Sequence, residues 1–261
     1  AGGEVYYELS TLNGPIVGKS RLYLKVKSEY ALENVKISYA KQQKVREDWE
    51  PLWGEVEQVN NRYRKLVIDL VEDSDSVQDV KISLEFRLYD YGMGFRYIVA
   101  NSIGQKLNII EKSDINLLER KADAWAASSW KKFKGSYELK NTGGGSSTRG
   151  GQTPILVDLD SFFVALHEAG LNGGSPVQTS ANGGEVMFET EQYSDETVWS
   201  SSYRTIAYSA SLSNLQVSKL LLNLNNERDK NKMNWILPGK TMYDKFLKNQ
   251  NQEGEYQYRH D

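Results

Sequence analysis

Apolar and polar residues alternate one for one in run after run of this chain. Across residues 21–27, Leu22, Leu24 and Val26 point one way while Arg21, Tyr23, Lys25 and Lys27 point the other, the period of a half-buried strand. Across 80–90 the pattern lasts longer, with Val80, Ile82, Leu84, Phe86 and Leu88 set against Lys81, Ser83, Glu85, Arg87 and Tyr89. Residues 204–213 repeat it with Ile206, Tyr208, Ala210 and Leu212. Shorter strand candidates are 5–9, 35–39, 66–70, 95–99, 155–157, 162–167, 186–189 and 220–224. One dry and one wet face is the signature of antiparallel sheets. The pattern therefore predicts a core holding Leu22, Leu24, Val26, Ile82, Leu84, Phe86, Ile206 and Tyr208, with the alternate residues in water.

Helical signal is weak. Residues 114–125 carry helix formers, yet no long apolar stripe recurs at 3.6-residue spacing. Tyr89-Asp90-Tyr91-Gly92-Met93-Gly94 reads as a tight hairpin whose glycines supply unusual backbone angles. Residues 141–151, NTGGGSSTRGG, read as a flexible surface loop within one domain, and 173–184 as a second loop.

Composition narrows the function classes. The 261 residues carry 32 basic and 35 acidic side chains spread along the chain, which gives no electrostatic footprint for nucleic acid or an anionic membrane. No apolar run approaches the length of a spanning helix. With no cysteine and only two histidines, His167 and His260, thiolate and multi-histidine metal sites are excluded, and any metal is expected on oxygen ligands. The acidic run Asp69, Glu72, Asp73, Asp75 and Asp79 lacks the glycine and glutamate of an EF-hand and reads as a solvated turn. No Ser-His-Asp triad is specified.

Two features carry candidate chemistry. His167 and Glu168 end an apolar strand, and alternation places Glu168 with Phe162, Val164 and Leu166, and His167 on the opposite face with Phe163 and Ala165. A carboxylate on an apolar face either pairs with a cation or sits at an exposed edge; the edge is the favoured reading of the residues alone. Six tryptophans and sixteen tyrosines suit either sugar stacking or a sandwich core. Trp49, Trp53, Trp125, Trp130 and Trp199 fall in or near predicted loops, which suggests an aromatic cluster at one end of the sandwich.

Taken in order, several blocks resemble the N-terminal domain of glycoside hydrolase family 97. They are Ser20-Arg21-Leu22, the segment DWEPLWGE at 48–55, Asn61-Arg62-Tyr63, FRLYDYGMGFRY at 86–97, Ala124-Trp125, His167-Glu168-Ala169 with Leu171, Tyr203-Arg204-Thr205-Ile206, LNLN at 222–225 and WILPGK at 235–240. The block at 86–97 is the most specific. In the Tyr203 block, Tyr stands where the family has Trp.

The resemblance implies an all-β fold, a galactose-mutarotase-like β-supersandwich of two mainly antiparallel sheets over residues 1–240. In that family a catalytic (β/α)8 barrel follows. Only 21 residues follow Lys240, a polar tail at 241–261, whereas a barrel needs about 250. No catalytic residue is therefore assigned, and this chain is expected to be inactive alone, because the paired carboxylates of glycoside hydrolysis belong to the barrel. The resemblance further implies a calcium-dependent α-glucosidase or α-galactosidase as the complete enzyme, periplasmic or secreted, acting on an α-linked oligosaccharide. Glu168 matches the position that supplies a calcium ligand at the barrel junction. One glutamate is an incomplete site, so calcium is expected to be absent or weakly held here and Glu168 exposed. His167, Arg204 and Trp199 are candidates for substrate contact. A stand-alone carbohydrate-binding module is the alternative, and a sugar epimerase, needing a paired His and Glu, a weaker one.

Overall fold

The computed structural model describes residues 3–26, 30–51, 56–72, 80–102, 104, 106–117, 123–127, 137–141, 148–159, 162–171, 175–182, 184–216 and 218–225. The chain divides into two compact units, Ala1–Glu47 with Asn61–Asn225, and Asp48–Asn60 with Asn226–Asp261. Of the second unit the described residues are 48–51 and 56–60. Asp73, Asp75, Asp79, Trp53, Trp130, His260, the 142–147 part of the glycine-rich segment, the 235–240 block and the tail lie outside the described residues.

Strand formation follows the alternation. In chain order the strands are β1 (Val5–Thr11), β2 (Gly14–Val26), β3 (Tyr30–Ala31), β4 (Val35–Trp49), β5 (Val59–Glu72), β6 (Val80–Tyr89), β7 (Gly92–Asn101), β8 (Leu107–Asn116) and β9 (Asp123–Ala127). There follow β10 (Tyr137–Asn141), β11 (Thr148–Gly151), β12 (Ile155–Asp158), β13 (Phe163–Ala169), β14 (Gln178–Asn182), β15 (Glu185–Ser194), β16 (Val198–Ser200) and β17 (Tyr203–Ser209), then α1 (Leu212–Gln216) and α2 (Leu220–Leu224). They build a seven-stranded sheet, β1-β2-β8-β15-β14-β11 with β3 on β2, and a ten-stranded sheet, β10-β9-β12-β13-β17-β7-β6-β5-β4 with β16 on β7. The pairings β1–β2, β2–β8, β8–β15, β13–β17 and β6–β7 are all antiparallel.

The core between the sheets is the expected one. Leu22, Leu24, Val26, Ile82, Leu84 and Ile206 are buried there, and Phe86 and Tyr208 pack against it. Alternate residues are wet only in part. Glu85, Arg87 and Tyr89 are buried, because a second apolar cluster covers the outer face of the ten-stranded sheet. It gathers Tyr63, Tyr89, Tyr203 and Ala207 with Leu215, Leu220 and Leu224 from the two helices. Leu88, on the expected apolar face of its strand, is exposed.

That covering layer is where the sequence reading fails. Residues 220–224 form a helix, not a strand: Leu220 and Leu224, four apart, lie on one helical face and enter the outer cluster. The strand expected over 204–213 stops at Ser209, and α1 begins three residues later. Residues 114–116 close β8, Leu117 follows it and 123–125 open β9, so no described residue of 114–125 is helical. Both expected loops contain strands, β11 and β14.

The 89–94 hairpin is present, with Tyr89 opposite Gly92. Its glycines serve mainly for close approach. A Cβ on Gly92 would lie 2.4 Å from the Ile206 carbonyl oxygen, and one on Gly94 2.6 Å from Leu224 Cδ1.

Candidate functional site

β13 and β17 run side by side with Glu168 opposite Arg204, and both side chains point into the space between the sheets. From the seven-stranded sheet β8 presents Glu111. Arg204 donates from Nε and Nη2 to the two oxygens of Glu111, at 2.8 and 2.6 Å, and from Nη1 to Glu168 Oε2 at 2.8 Å. Nη1 also donates to the Ser202 hydroxyl. Ser113 Oγ completes Glu111 at 3.0 Å. Arg204 and Glu111 are fully buried and Glu168 is 7% exposed. A bidentate guanidinium is the donor geometry that can hold carboxylates out of water.

Glu168 accepts further hydrogen bonds from Ser202 Oγ at 3.0 Å, from the Val177 amide at 3.2 Å and, at 3.4 Å, from Thr153 Oγ1. Burial lifts its pKa above the ordinary glutamate value, and Arg204, the Val177 amide and Ser202 pull against that. The expectation of an exposed Glu168 is thus corrected. Of the two readings open to a carboxylate on an apolar face, the structure selects pairing with a cation, because Arg204 arises directly opposite on the neighbouring strand.

Of the remaining candidates, His167 reaches Glu168 through a shared hydroxyl and Trp199 stays in the core. His167 occupies the opposite face of β13, half-buried, with Nδ1 3.0 Å from Thr153 Oγ1, and burial lowers its pKa. That hydroxyl also reaches Glu168 Oε1 at 3.4 Å, so Thr153 links the two side chains, while Glu168 itself is buried against Arg204. Trp199, on β16, is 1% exposed within the inter-sheet core and offers no surface to a sugar. Trp49 ends β4, Trp125 lies within β9 and Trp199 within β16, so these three fall in strands rather than in loops.

Sequence reasoning missed two groups. Glu111 follows Leu107 and Ile109 and precedes Ser113 and Ile115 in strict alternation; a carboxylate at an apolar position of a strand was the available signal. The other group lies on the outer face of the ten-stranded sheet. There Glu85 binds Lys65 at 3.2 Å, Arg87 at 2.8 Å and Arg96 at 3.1 Å and accepts the Tyr203 hydroxyl at 2.6 Å. The guanidiniums of Arg87 and Arg96 flank the Tyr203 ring at 4.9 and 4.7 Å, favourable cation–π distances.

The sequence pattern of the glycosyl-hydrolase 97 N-terminal family matches residues 1–226. The chain belongs to that family. Among solved structures it is similar to a glycoside hydrolase family 97 enzyme from Pseudoalteromonas sp. strain K8 in complex with acarbose. The identity is 20% and the TM-score 0.76 over 90% of this chain. A variant of that enzyme in complex with panose matches equally, and a β-arabinopyranosidase matches with 16% identity and a TM-score of 0.66 over 80% of the chain. These likenesses establish the fold. The chain spans 37% of the length of each.

For a family 97 domain the question of calcium rests on Glu168. Among the described residues no cluster of three or more His, Asp or Glu could hold a metal. Glu168 Oε1 accepts from Val177 N at 3.2 Å and Thr153 Oγ1 at 3.4 Å, so a cation at this oxygen would displace the longer of the two. The residues present fit one ligand of a set completed from elsewhere, and no more, since calcium takes six to eight oxygens.

Proposed function

We propose that this chain is the sandwich domain of a family 97 glycoside hydrolase of the α-glucosidase or α-galactosidase class, which packs on a catalytic (β/α)8 barrel and has no hydrolytic activity by itself. The observation that carries this reading is the family match over residues 1–226 in a chain spanning 37% of the Pseudoalteromonas enzyme. In the complete enzyme Glu168 supplies one calcium ligand at the junction, and Arg204 and Glu111 fix its position from within the sandwich. The extracytoplasmic location proposed for the enzyme rests on family resemblance.

The test is an assay of the 261-residue chain with p-nitrophenyl α-glucoside and α-galactoside. We expect no turnover above background, because the two carboxylates that flank a scissile bond are not assembled by the described residues. Turnover abolished by Glu168→Gln would overturn the reading. Calorimetric titration with calcium is expected to give no submicromolar binding to this chain.

A further inference from the structure

The outer face of the seven-stranded sheet carries a groove of about 460 Å³, within the size range of ligand clefts. Its floor comes from β2 and β8, whose register sets Tyr23 opposite Lys112 and Lys25 opposite Ile110. One wall is preorganised. Arg21 is held by Glu4 at 2.7 Å and Glu33 at 3.0 Å, and its guanidinium lies 5.1 Å from the centre of the Tyr23 ring. Lys112 is engaged by Glu189 at 3.5 Å.

Two charged groups of the lining make no side-chain hydrogen bond or close ion pair among the described residues, the Asp114 carboxylate, which feels Arg21 and Lys112 at longer range, and the Lys25 ammonium. They mark the two ends of the groove: Asp114 and Ile110, the residue facing Lys25, are four positions apart on β8, about 14 Å at strand rise. Between them stand the Tyr23 ring and, across the floor, the apolar side chains of Ile110 and Met187. A hydrogen-bond acceptor at one end, a donor at the other and an aromatic midway do not suit an anion, which Asp114 and Glu33 repel. Nor do they suit a divalent cation, which would meet Arg21, Lys25 and Lys112. A neutral chain of hydroxyls with apolar ring faces fits all of them, and the span exceeds one pyranose.

We propose that this groove is a binding site for a short neutral oligosaccharide, separate from the Glu168 end of the sandwich, so that the domain holds glycan as well as supporting a barrel. The choice of an α-linked glucan as first probe rests on the proposed function; the preference for a neutral oligosaccharide does not.

The experiment is calorimetric titration of the 261-residue chain with maltoheptaose, and in parallel with cellohexaose and stachyose, followed by the variants Tyr23→Ala, Asp114→Asn and Glu168→Gln. Thermal melts confirm that each variant folds. Weak millimolar-range binding is expected, reduced about tenfold or more by Tyr23→Ala and by Asp114→Asn and unchanged by Glu168→Gln. Amide shift perturbations confined to β2 and β8 would report the site even if one variant fails to fold. With the same variant pattern, binding of cellohexaose in place of maltoheptaose upholds the groove and counts against the α-glycoside reading, whereas binding of stachyose upholds the groove and favours the α-galactoside branch of that reading. No binding of any of the three, or binding insensitive to Tyr23 and Asp114, overturns the proposal and leaves the family role standing.

Discussion

Arg204 and Glu111 join the two sheets through a bidentate ion pair, Nε and Nη2 on one carboxylate at 2.8 and 2.6 Å, with neither side chain more than 1% exposed. The same guanidinium reaches Glu168 at 2.8 Å, so one cation is shared by two carboxylates in the inter-sheet core and offsets the charge of one of them. Taking charges out of water is costly, and such a pair is a poor source of net stability. Its consequence is positional: Glu168 is held where β13 ends, at one place and in one orientation.

Removal of the shared cation therefore has a large effect. Arg204→Met strands two carboxylates in the core and is expected to cost about 3–5 kcal/mol, the range for breaking a buried pair from one side, read as a fall in the urea midpoint. The double variant with Glu111→Gln restores part of that loss, because one of the orphaned charges is gone. Additive losses would show that the two groups do not interact as described.

On the outer face Glu85 titrates in the opposite sense from an isolated buried acid. Burial raises its pKa, yet Arg96, the Tyr203 hydroxyl and Arg87 outweigh it and hold the group down to about 2, against 4.5 for a free glutamate. The folded state thus binds the proton less tightly than the unfolded chain does. Its contribution, roughly 3 kcal/mol by linkage, is complete above pH 4.5 and lost as pH falls toward 2. Stability measured over that window should drop less steeply in Glu85→Gln than in the parent chain.

Asp114 shifts the other way. Burial, then Glu185, raises it to about 6, and Glu189 adds to this while Arg21 and Lys112 oppose it. Here the folded state holds the proton more tightly than the unfolded chain, so the contribution to stability is present at low pH and is lost as pH rises from about 4 through 6. Carboxyl carbon shifts should place the Asp114 midpoint near 6, and Asp114→Asn should gain stability relative to the parent across the same interval.

The two-sheet core was legible because the period of two is a direct record of which face is dry. Leu22, Leu24, Ile82 and Leu84 could be placed without any knowledge of their neighbours. The outer layer was not legible, because its information is non-local. Leu220 to Leu224 form too short an apolar run to separate strand from helix by period, and the surface that Leu220 and Leu224 cover, at Gly92 and Gly94, is far away in sequence. Glu168 could be assigned to the apolar face from alternation, but its partner could not, since the cross-strand register that sets Arg204 opposite it is a property of the sheet. Glu111 was missed for a related reason. A single acid in an alternating strand reads as a wet position until the opposing sheet supplies a guanidinium.

The hairpin glycines give a graded test of how tightly the outer layer is fitted. At Gly92 an added Cβ meets the Ile206 carbonyl oxygen at 2.4 Å and the Ala207 Cα at 3.0 Å. These are backbone atoms of a central strand, which cannot move without shifting the β7–β17 pairing. At Gly94 the obstacle is the Leu224 side chain, with Cδ1 at 2.6 Å and Cδ2 at 2.9 Å, and a leucine can change rotamer or carry α2 slightly outward. Overpacking of this kind costs about 1–3 kcal/mol, and Gly92→Ala is expected at or above the top of that range, with Gly94→Ala nearer the bottom. Leu224→Ala in the Gly94→Ala background should recover part of the packing strain while losing the burial of Leu224. The same change should recover nothing in the Gly92→Ala background, since Leu224 is not among the atoms nearest that Cβ. Denaturation midpoints of the four variants decide it, and an equal response of the two glycine variants to Leu224→Ala would sink the assignment of Leu224 as the atom group that makes position 94 a glycine.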